Sequence, residues 1–171
     1  FGVSCGLGFD AAVCHKIVVS KLKLILNKIG LGKLTYVIVA LQSLLAQDPR
    51  PMTLTFDDGR KVEFKKAYFV AGMNQKYEGG GFKFCPKADP SDDILDIMVA
   101  SDISKLKVLS LLPTAYKGWH VHVKGIYTYQ CKYVDIESEI SLPVHTDGEP
   151  VLFQKKARLG LENEKVRLIL S

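Results

Sequence analysis

The chain has 171 residues, of which 47% are hydrophobic and 24% are charged. This length and composition predict one domain, or two small ones, with a sizeable core, and they exclude intrinsic disorder and low-complexity architecture. The formal net charge of +5 is a mild excess, which accommodates an anionic partner without requiring one. A nucleic acid partner is possible at this charge but is not indicated, and we expect none.

The most apolar stretch, residues 34–46, is interrupted by Thr35, Gln42 and Ser43. It is also shorter than the roughly 20 residues that a bilayer-spanning helix needs. The chain opens on Phe1 rather than Met and shows no basic-then-apolar leader, so we expect a piece of a longer, cytoplasmic protein. The four cysteines form no Cys-x-x-Cys pair and lie in apolar settings, which indicates reduced, buried thiols.

The first third of the chain predicts one strand followed by two helices. Small and apolar residues alternate over residues 1–9, which is typical of a strand that runs close to another backbone. Asp10 stands where an N-cap would, and a helical period follows over residues 11–27. A second apolar helix is predicted over residues 33–47, where Pro49 and Pro51 prevent its continuation.

The remainder of the chain is mainly β in pattern. A helix is predicted over residues 104–116 with Ser104 as its N-cap, and His120 and His122 are two residues apart, as on one face of a strand. Strands are predicted at residues 52–56, 61–64, 67–71, 94–100, 132–137, 139–145, 155–161 and 166–170. The sequence predicts an α+β fold, mainly an antiparallel β sheet or sandwich, with about three helices.

A glycine-rich loop follows the predicted strand at residues 67–71. Gly79, Gly80 and Gly81 are consecutive, and such a run loses much backbone entropy on folding. A chain that keeps it needs positive φ or the close approach of another group. Because the run is not a phosphate-loop pattern, a loose surface loop explains it equally well.

Residues 89–96 contain four carboxylates at the entry to a strand. Acids clustered on a turn are able to hold a hard cation such as Mg²⁺ through one carboxylate and neighbouring carbonyls. A solvated turn, in which Asp and Pro serve the turn geometry, explains the same composition and is favoured by composition alone.

Residues 145–150 form the third segment whose side chains are suited to catalysis or metal binding. Asp147-Gly148 is a strong turn signal, and turn geometry alone accounts for it in most proteins. A glutamate held rigidly after such a turn, here Glu149, also suits a general base or a metal ligand. Spacing does not choose between these interpretations.

Together, in this order and at these intervals, the three segments resemble the C-terminal domain of the bacterial diacylglycerol kinase and related lipid kinase family, which also includes sphingosine and ceramide kinases. The opening Gly-Leu-Gly-Phe-Asp-Ala and the Leu-Gly-Lys-Leu-Thr-Tyr segment from Leu31 extend the likeness over nearly the whole chain. The resemblance implies a two-domain protein in which residues 1–171 form the β-sandwich-like C-terminal domain. The N-terminal domain, which carries the nucleotide signature Gly-Gly-Asp-Gly-Thr in the family, is absent from this sequence.

The resemblance also implies an activity, the transfer of the ATP γ-phosphate to the hydroxyl of a lipid. It assigns Glu149, within the motif Asp147-Gly148-Glu149, as the general base. It places Asn74 and the glycines from Gly79 to Gly81 in a loop that lines the cleft between the two domains. The isolated fragment is expected to be inactive, because most of the ATP-binding groups belong to the other domain.

The family likeness further assigns Asp92 as the side-chain ligand of a Mg²⁺ ion, with the backbone carbonyls of Asp89 and Ile94 beside it. Asp93 stands where the family usually has glycine, which adds a negative charge and changes the turn. We expect Glu149 and the segment around Asp92 to share one crevice.

Residues 11–47 contain five lysines and no Asp or Glu. Each lysine near an anionic bilayer is worth about 1 kcal/mol, so peripheral association with an anionic membrane surface is expected, although a solvated helix face explains the same pattern. Exposed sandwich edges are compatible with a homodimer. Two other functions remain open at this point: a NAD kinase-like enzyme, and a lipid-binding module without catalysis.

Overall fold

The computed structural model describes residues 1–19, 32–79 and 81–162. Within these ranges, three α-helices lie at Phe9–Val19 (α1), Gly32–Ala46 (α2) and Lys105–Ala115 (α3), and a 3₁₀ turn spans Trp119–His122. The strands are β1 (Ser4–Gly8), β2 (Arg50–Phe56), β3 (Lys61–Met73), β4 (Leu95–Ser101), β5 (Ile126–Cys131), β6 (Tyr133–Thr146) and β7 (Glu149–Gly160). This is the predicted α+β, mainly β architecture.

All strand pairs are antiparallel, and the order across the sheet is β1-β6-β2-β3-β4-β5, with β7 on β6. The two longest strands, β3 and β6, each pair with β2 through their first half and with β1 through their second half. These four strands therefore close on one another, which folds the sheet into a sandwich-like body. In the described part of the chain, β5 and β7 form its edges.

Two apolar clusters fill the body, one enclosed by the sheet and one between the sheet and the helices. Residues that follow one another on β3 belong to different clusters: Val70 to the first, Phe69 and Ala71 to the second. Neighbouring side chains on a strand point to opposite faces, so β3 is buried on both faces. That explains why residues 67–71 are continuously apolar.

Several element boundaries differ from the prediction. The segments predicted as separate strands at residues 61–64 and 67–71 are one strand, β3, and the same holds for the two predicted strands within β6. Strand β5 was not predicted, and His120 and His122 lie on the 3₁₀ turn rather than on a strand. The continuation of the first helix to residue 27 and the strand at residues 166–170 lie outside the described residues.

Two predictions about local chemistry are confirmed. Ser104 is the N-cap of α3, where its hydroxyl accepts a hydrogen bond from the Lys107 N–H at 3.2 Å. All four cysteines are unpaired, and three of them are buried. No helix in the described ranges is both long enough and apolar enough to cross a bilayer.

Candidate functional site

A cavity of about 900 Å³ opens beside helices α1 and α3. Much of its wall is apolar, formed by residues such as Phe9, Val13, Ile17, Leu109 and Leu112. The polar part of the lining consists largely of four acidic residues, namely Asp10, Glu78, Asp147 and Glu149. No Lys or Arg lines the cavity among the described residues. The cavity is therefore amphipathic, and its polar groups are mainly acidic.

The turn between β6 and β7 places Glu149 at this cavity. Asp147 and Gly148 have φ of 51° and 83°, which is the two-residue turn with positive φ at both positions that Asp-Gly favours. Glu149 is the first residue of β7, and it is exposed. Its carboxylate makes no hydrogen bond to the described part of the chain, so it is available to accept a proton from a bound group.

Asp147 ties the turn to the start of the first strand. Its carboxylate accepts hydrogen bonds from the backbone N–H groups of Gly2, Val3 and Ser4 at 2.8, 2.7 and 3.0 Å. Partial burial tends to raise the pKa of Asp147, but these three donors outweigh it and hold the pKa below its usual range. The observed role of Asp147 is thus to position the turn that carries Glu149.

A buried polar network, which the sequence did not reveal, lies next to this turn. The His145 side chain is fully buried, and its Nε2 lies 2.7 Å from Asp10 Oδ2 and 3.3 Å from Glu78 Oε1. The Ser4 hydroxyl donates to the same Glu78 oxygen at 2.5 Å. On the other side of the ring, the Gly148 N–H donates to His145 Nδ1 at 3.2 Å. The network therefore connects β1, α1, β6 and the loop at residue 78 to the turn before Glu149.

The pKa values of the network follow from its burial and its charges. Burial is the main cause that raises the pKa of Glu78 to about 8; the nearby Asp10 carboxylate also raises it, whereas His145 and the hydrogen bond from Ser4 lower it. Burial alone would lower the pKa of His145, but the hydrogen bond to Asp10 and the surrounding carboxylates raise it above its ordinary value. Near neutral pH, Glu78 is therefore mostly a neutral carboxylic acid.

Asp10, Cys14 and His145 offer ligand atoms that lie within 4.8 Å of one another, which is compact enough for a metal ion. The hydrogen bonds disagree with that use. Because Gly148 donates to Nδ1, the neutral ring carries its proton on Nε2, the atom that faces Asp10 and would have to bind the metal. Burial also raises the pKa of the Cys14 thiol, which disfavours the thiolate. We interpret the cluster as a hydrogen-bond network rather than a metal centre.

Asp10 was predicted as an N-cap, and this prediction is wrong. Helix α1 begins at Phe9, so Asp10 lies in its first turn, where its carboxylate contacts His145. Gly6 on β1 makes room for that contact, since a Cβ on Gly6 would overlap Asp10 Oδ2 and His145 Nε2. The sequence shows only that Gly6 lies in a predicted strand. Asp10 and His145, which a Cβ on Gly6 would overlap, come next to it only in the folded chain.

Replacing Gly6 with Ala is expected to lower the melting temperature by displacing the Asp10–His145 pair. Separating a buried hydrogen-bonded pair costs about 1–3 kcal/mol, which for a domain of this size corresponds to a decrease of roughly 2–12 °C. Differential scanning calorimetry measures the change. Gly2→Ala is the matched control, because Gly2, like Gly6, lacks positive φ, and a Cβ at Gly2 would approach only Asp147 Oδ2, at 3.9 Å. A Gly6→Ala protein as stable as the wild type would contradict this explanation.

The predicted glycine-rich loop lies partly at the cavity. Gly79 and Gly81 line it with φ of 33° and 94°, and a Cβ on either would meet nothing within 4 Å, so backbone conformation rather than space explains the glycines. Gly80 lies outside the described residues. Asn74 does not line the cavity: its side-chain amide donates to the Gly2 carbonyl at 3.2 Å and supports the start of the chain.

The segment predicted to hold Mg²⁺ is a turn before β4. The Asp92 Oδ1 accepts from the Ile94 N–H at 3.0 Å, and the Asp92 N–H donates to the Asp89 carbonyl at 3.3 Å. Asp93 has φ of 58°, a conformation that glycine adopts freely and Asp tolerates. Asp93 is therefore accommodated at this position of the turn. Asp92 is exposed, and its second carboxylate oxygen has no hydrogen bond to the described residues. These oxygen donors fit a hard cation that keeps several waters.

Asp92 and Glu149 do not share the cavity, contrary to the expectation of one common crevice. None of residues 89–94 lines it. One row of paired residues crosses the sheet from β7 to β4 through Glu149, Thr146, Cys5, Gly72 and Ile97. Three strands, β6, β1 and β3, thus lie between the strand that begins at Glu149 and the strand that follows Asp92.

Comparison with known proteins shows which family has this fold. The model of the YegS C-terminal NAD kinase beta sandwich-like domain matches residues 3–158. A diacylglycerol kinase of Mycobacterium tuberculosis is 35% identical over 87% of this chain and 45% of its own length. A Bacillus subtilis protein named "Putative lipid kinase YtlR" is 28% identical over 84% of this chain and 46% of its own.

The solved structures agree at the level of the fold. A crystal structure titled as a putative diacylglycerol kinase from Bacillus anthracis superposes with a TM-score of 0.63, at 24% identity, over 94% of this chain and 50% of the other. This chain thus spans about half the length of the relatives that it matches. It belongs to the family of the YegS C-terminal NAD kinase beta sandwich-like domain, the C-terminal domain of the diacylglycerol and lipid kinases.

Proposed function

We propose that the protein containing this chain transfers the γ-phosphoryl group of ATP to the hydroxyl of a lipid, of which diacylglycerol is the first candidate. The observation that carries the proposal is the amphipathic cavity, in which an apolar wall leads to an exposed glutamate, Glu149. An acyl chain fits such a wall, since burying it removes apolar surface from water. The relative named diacylglycerol kinase supports the same substrate class.

In this mechanism Glu149 accepts the proton of the lipid hydroxyl. The hydroxyl oxygen then forms the new bond to the γ-phosphorus as the bond between that phosphorus and the leaving ADP oxygen breaks. Phosphoryl transfer depends mainly on the alignment of the two oxygens, so the protein must hold the acceptor still. The rigid turn at Asp147 and Gly148, with its three hydrogen bonds to β1, does this for the base.

The phosphates must be neutralised from outside this cavity. Its lining contains four acidic residues and, among the residues described, no Lys or Arg. The proposal therefore places ATP mainly on an N-terminal domain of the same protein. Mg²⁺ held by Asp92 and the carbonyls of Asp89 and Ile94 would lie outside this cavity, where its positive charge would offset the acidic turn before β4 rather than the phosphates.

The apolar wall of the same cavity favours a lipid over the dinucleotide substrate of a NAD kinase-like enzyme, because a dinucleotide has little apolar surface to bury there. The cavity equally suits a lipid-binding module without catalysis, so phosphoryl transfer must be tested directly.

We expect the complete protein, with ATP and Mg²⁺, to phosphorylate dioctanoylglycerol and to leave NAD unmodified. Transfer of labelled phosphate, followed by separation of lipid from aqueous products, measures both. Phosphorylation of NAD alone would refute the proposal, and binding of the lipid without any transfer would favour the module.

Such a lipid would be taken from a membrane, and we extend the proposal to peripheral contact with an anionic membrane surface. Leu152 and Phe153 on β7 are 77% and 57% exposed, a few residues from Glu149. The Phe153 ring lies 5.4 Å from that of His15 on α1, next to Lys16 in the last turn of that helix. Apolar side chains beside a lysine suit the boundary between lipid headgroups and acyl chains. Lys21, Lys23 and Lys28 lie outside the described residues.

A further inference from the structure

Glu78 lines the cavity but has no place in the phosphoryl-transfer mechanism. Its side chain is 9% exposed, so it is nine-tenths buried. One of its oxygens, Oε1, accepts a hydrogen bond from the Ser4 hydroxyl and lies 3.3 Å from His145 Nε2. The other oxygen, Oε2, is buried and has no hydrogen-bond partner among the described residues. A buried polar atom without a partner costs about 1–3 kcal/mol, so its presence at the cavity needs an explanation.

The hydrogen bonds assign the proton of the neutral acid. Oε1 accepts from the Ser4 hydroxyl, while His145 Nε2, 3.3 Å away, makes its hydrogen bond to Asp10, so Oε1 acts as the acceptor of Glu78. The tautomer of His145 is set independently by the Gly148 N–H on Nδ1. When Glu78 is protonated, the proton therefore belongs on Oε2. That atom is then a donor that lacks an acceptor in the described part of the protein.

The groups that face Glu78 favour its neutral form. Asp10 from α1 is an acidic neighbour, and Asp147 at the turn adds a second, more distant negative charge. His145 from β6 and Ser4 from β1 oppose them, but burial dominates and the pKa is about 8. The acid is thus neutral over most of the physiological range. Ionisation of Glu78 also destabilises the fold. The folding stability is therefore highest below the ordinary glutamate pKa and falls as the pH rises towards 8.

We propose that Glu78, as a neutral carboxylic acid, donates a hydrogen bond from Oε2 to an uncharged oxygen in the head of the bound lipid, such as an ester carbonyl. This proposal rests on the function proposed above, because it takes a lipid to be the occupant of the cavity. Glu78 is a binding residue in this account, distinct from the base Glu149. It selects lipids whose head presents an uncharged acceptor, and it disfavours heads that present only a cation, since a neutral acid offers a cation no charge.

The test measures the dissociation constant of dioctanoylglycerol, below its aggregation concentration, for the complete protein without ATP. Dioctanoylglycerol has no titratable group, so any pH dependence arises in the protein. Between about pH 6 and about pH 9.5, wild-type affinity is expected to fall about tenfold or more, as the donor becomes a carboxylate that repels the lipid oxygen.

Glu78→Gln is the decisive variant. Its amide oxygen replaces Oε1 and its NH₂ group replaces the Oε2 donor, so its affinity is expected to stay within about twofold of the wild-type value at pH 6 and to remain there at pH 9.5. Glu78→Ala is expected to bind about tenfold more weakly than wild type at pH 6. Glu139→Gln, at an exposed glutamate on β6 that does not line the cavity, is the matched control and is expected to follow the wild type.

Other results would overturn the proposal. Wild-type affinity that does not change with pH would mean that water rather than lipid accepts from Oε2. Affinity that rises with pH, together with weaker binding by Glu78→Gln, would mean that the ionised carboxylate accepts from the lipid. Because ATP is absent, these outcomes are separate from the phosphorylation assay, whose failure would refute the kinase function while the pH pattern of binding is read independently.

Discussion

Replacement of Glu149 with Gln in the complete protein is expected to lower the rate of lipid phosphorylation by about 10²–10⁴-fold. The amide keeps the shape of the side chain but is unable to accept the proton of the lipid hydroxyl. Glu149 is exposed at the start of β7, and its carboxylate makes no hydrogen bond to the described residues. The melting temperature and the affinity for lipid should therefore remain close to wild type, so that the loss lies in kcat rather than KM.

Glu139→Gln is the matched control for Glu149→Gln. It makes the same change at an exposed glutamate on β6, outside the cavity. Its rate is expected to equal that of the wild type. If Glu149→Gln also retained the wild-type rate, Glu149 would not be the base, and the chemical role of the cavity would have to be reassigned.

Replacement of Asp147 with Ala is expected to give the largest loss of stability. It removes the acceptor of three backbone N–H groups, at Gly2, Val3 and Ser4, and leaves a residue with φ of 51° without the tolerance that Asp has. Because two of these hydrogen bonds are exposed, we expect a loss of about 2–3 kcal/mol, or roughly 4–12 °C in melting temperature. Activity should also fall, since the turn that holds Glu149 loosens.

Asp147→Asn shows how much of this loss of stability comes from the charge of Asp147, because it nearly preserves the shape of the side chain. Asn tolerates the same backbone conformation but carries no charge. The lowered pKa of Asp147 means that its charge contributes stability above its ordinary value of 3.8, and that this contribution is lost as the pH falls below that value. The difference in melting temperature between wild type and Asp147→Asn should therefore shrink in acid. A difference that is constant with pH would contradict the role assigned to the charge.

Much of the fold was predictable because its signals are local. The helix at Lys105–Ala115 is marked by its Ser104 cap, and the turn at Asp147-Gly148 by residues that adopt positive φ. Strand β3 was predicted in two pieces because Lys65 and Lys66 interrupt the apolar pattern, although both are exposed within one continuous strand. Local patterns do not reveal that a strand runs on when its pairing changes from one neighbour to another.

The site was predictable only in part. Glu149 and its turn follow from a contiguous motif, and the resemblance to lipid kinases supplied a role for them. The network of Asp10, Glu78 and His145 joins residues that are up to 135 positions apart, so no spacing in the sequence could indicate it. The separation of Asp92 from the cavity of Glu149 has the same origin, because the strand order, which the sequence did not reveal, places three strands between β7 and β4.

The central claim is that a lipid hydroxyl is bound in this cavity within reach of Glu149. A crystal structure of the complete protein with dioctanoylglycerol tests it most directly. We predict that the acyl chains lie along the wall formed by Phe9, Val13 and Leu112, with the hydroxyl oxygen about 2.6–3.2 Å from the Glu149 carboxylate. A lipid bound elsewhere, or one whose hydroxyl points away from Glu149, would contradict the account.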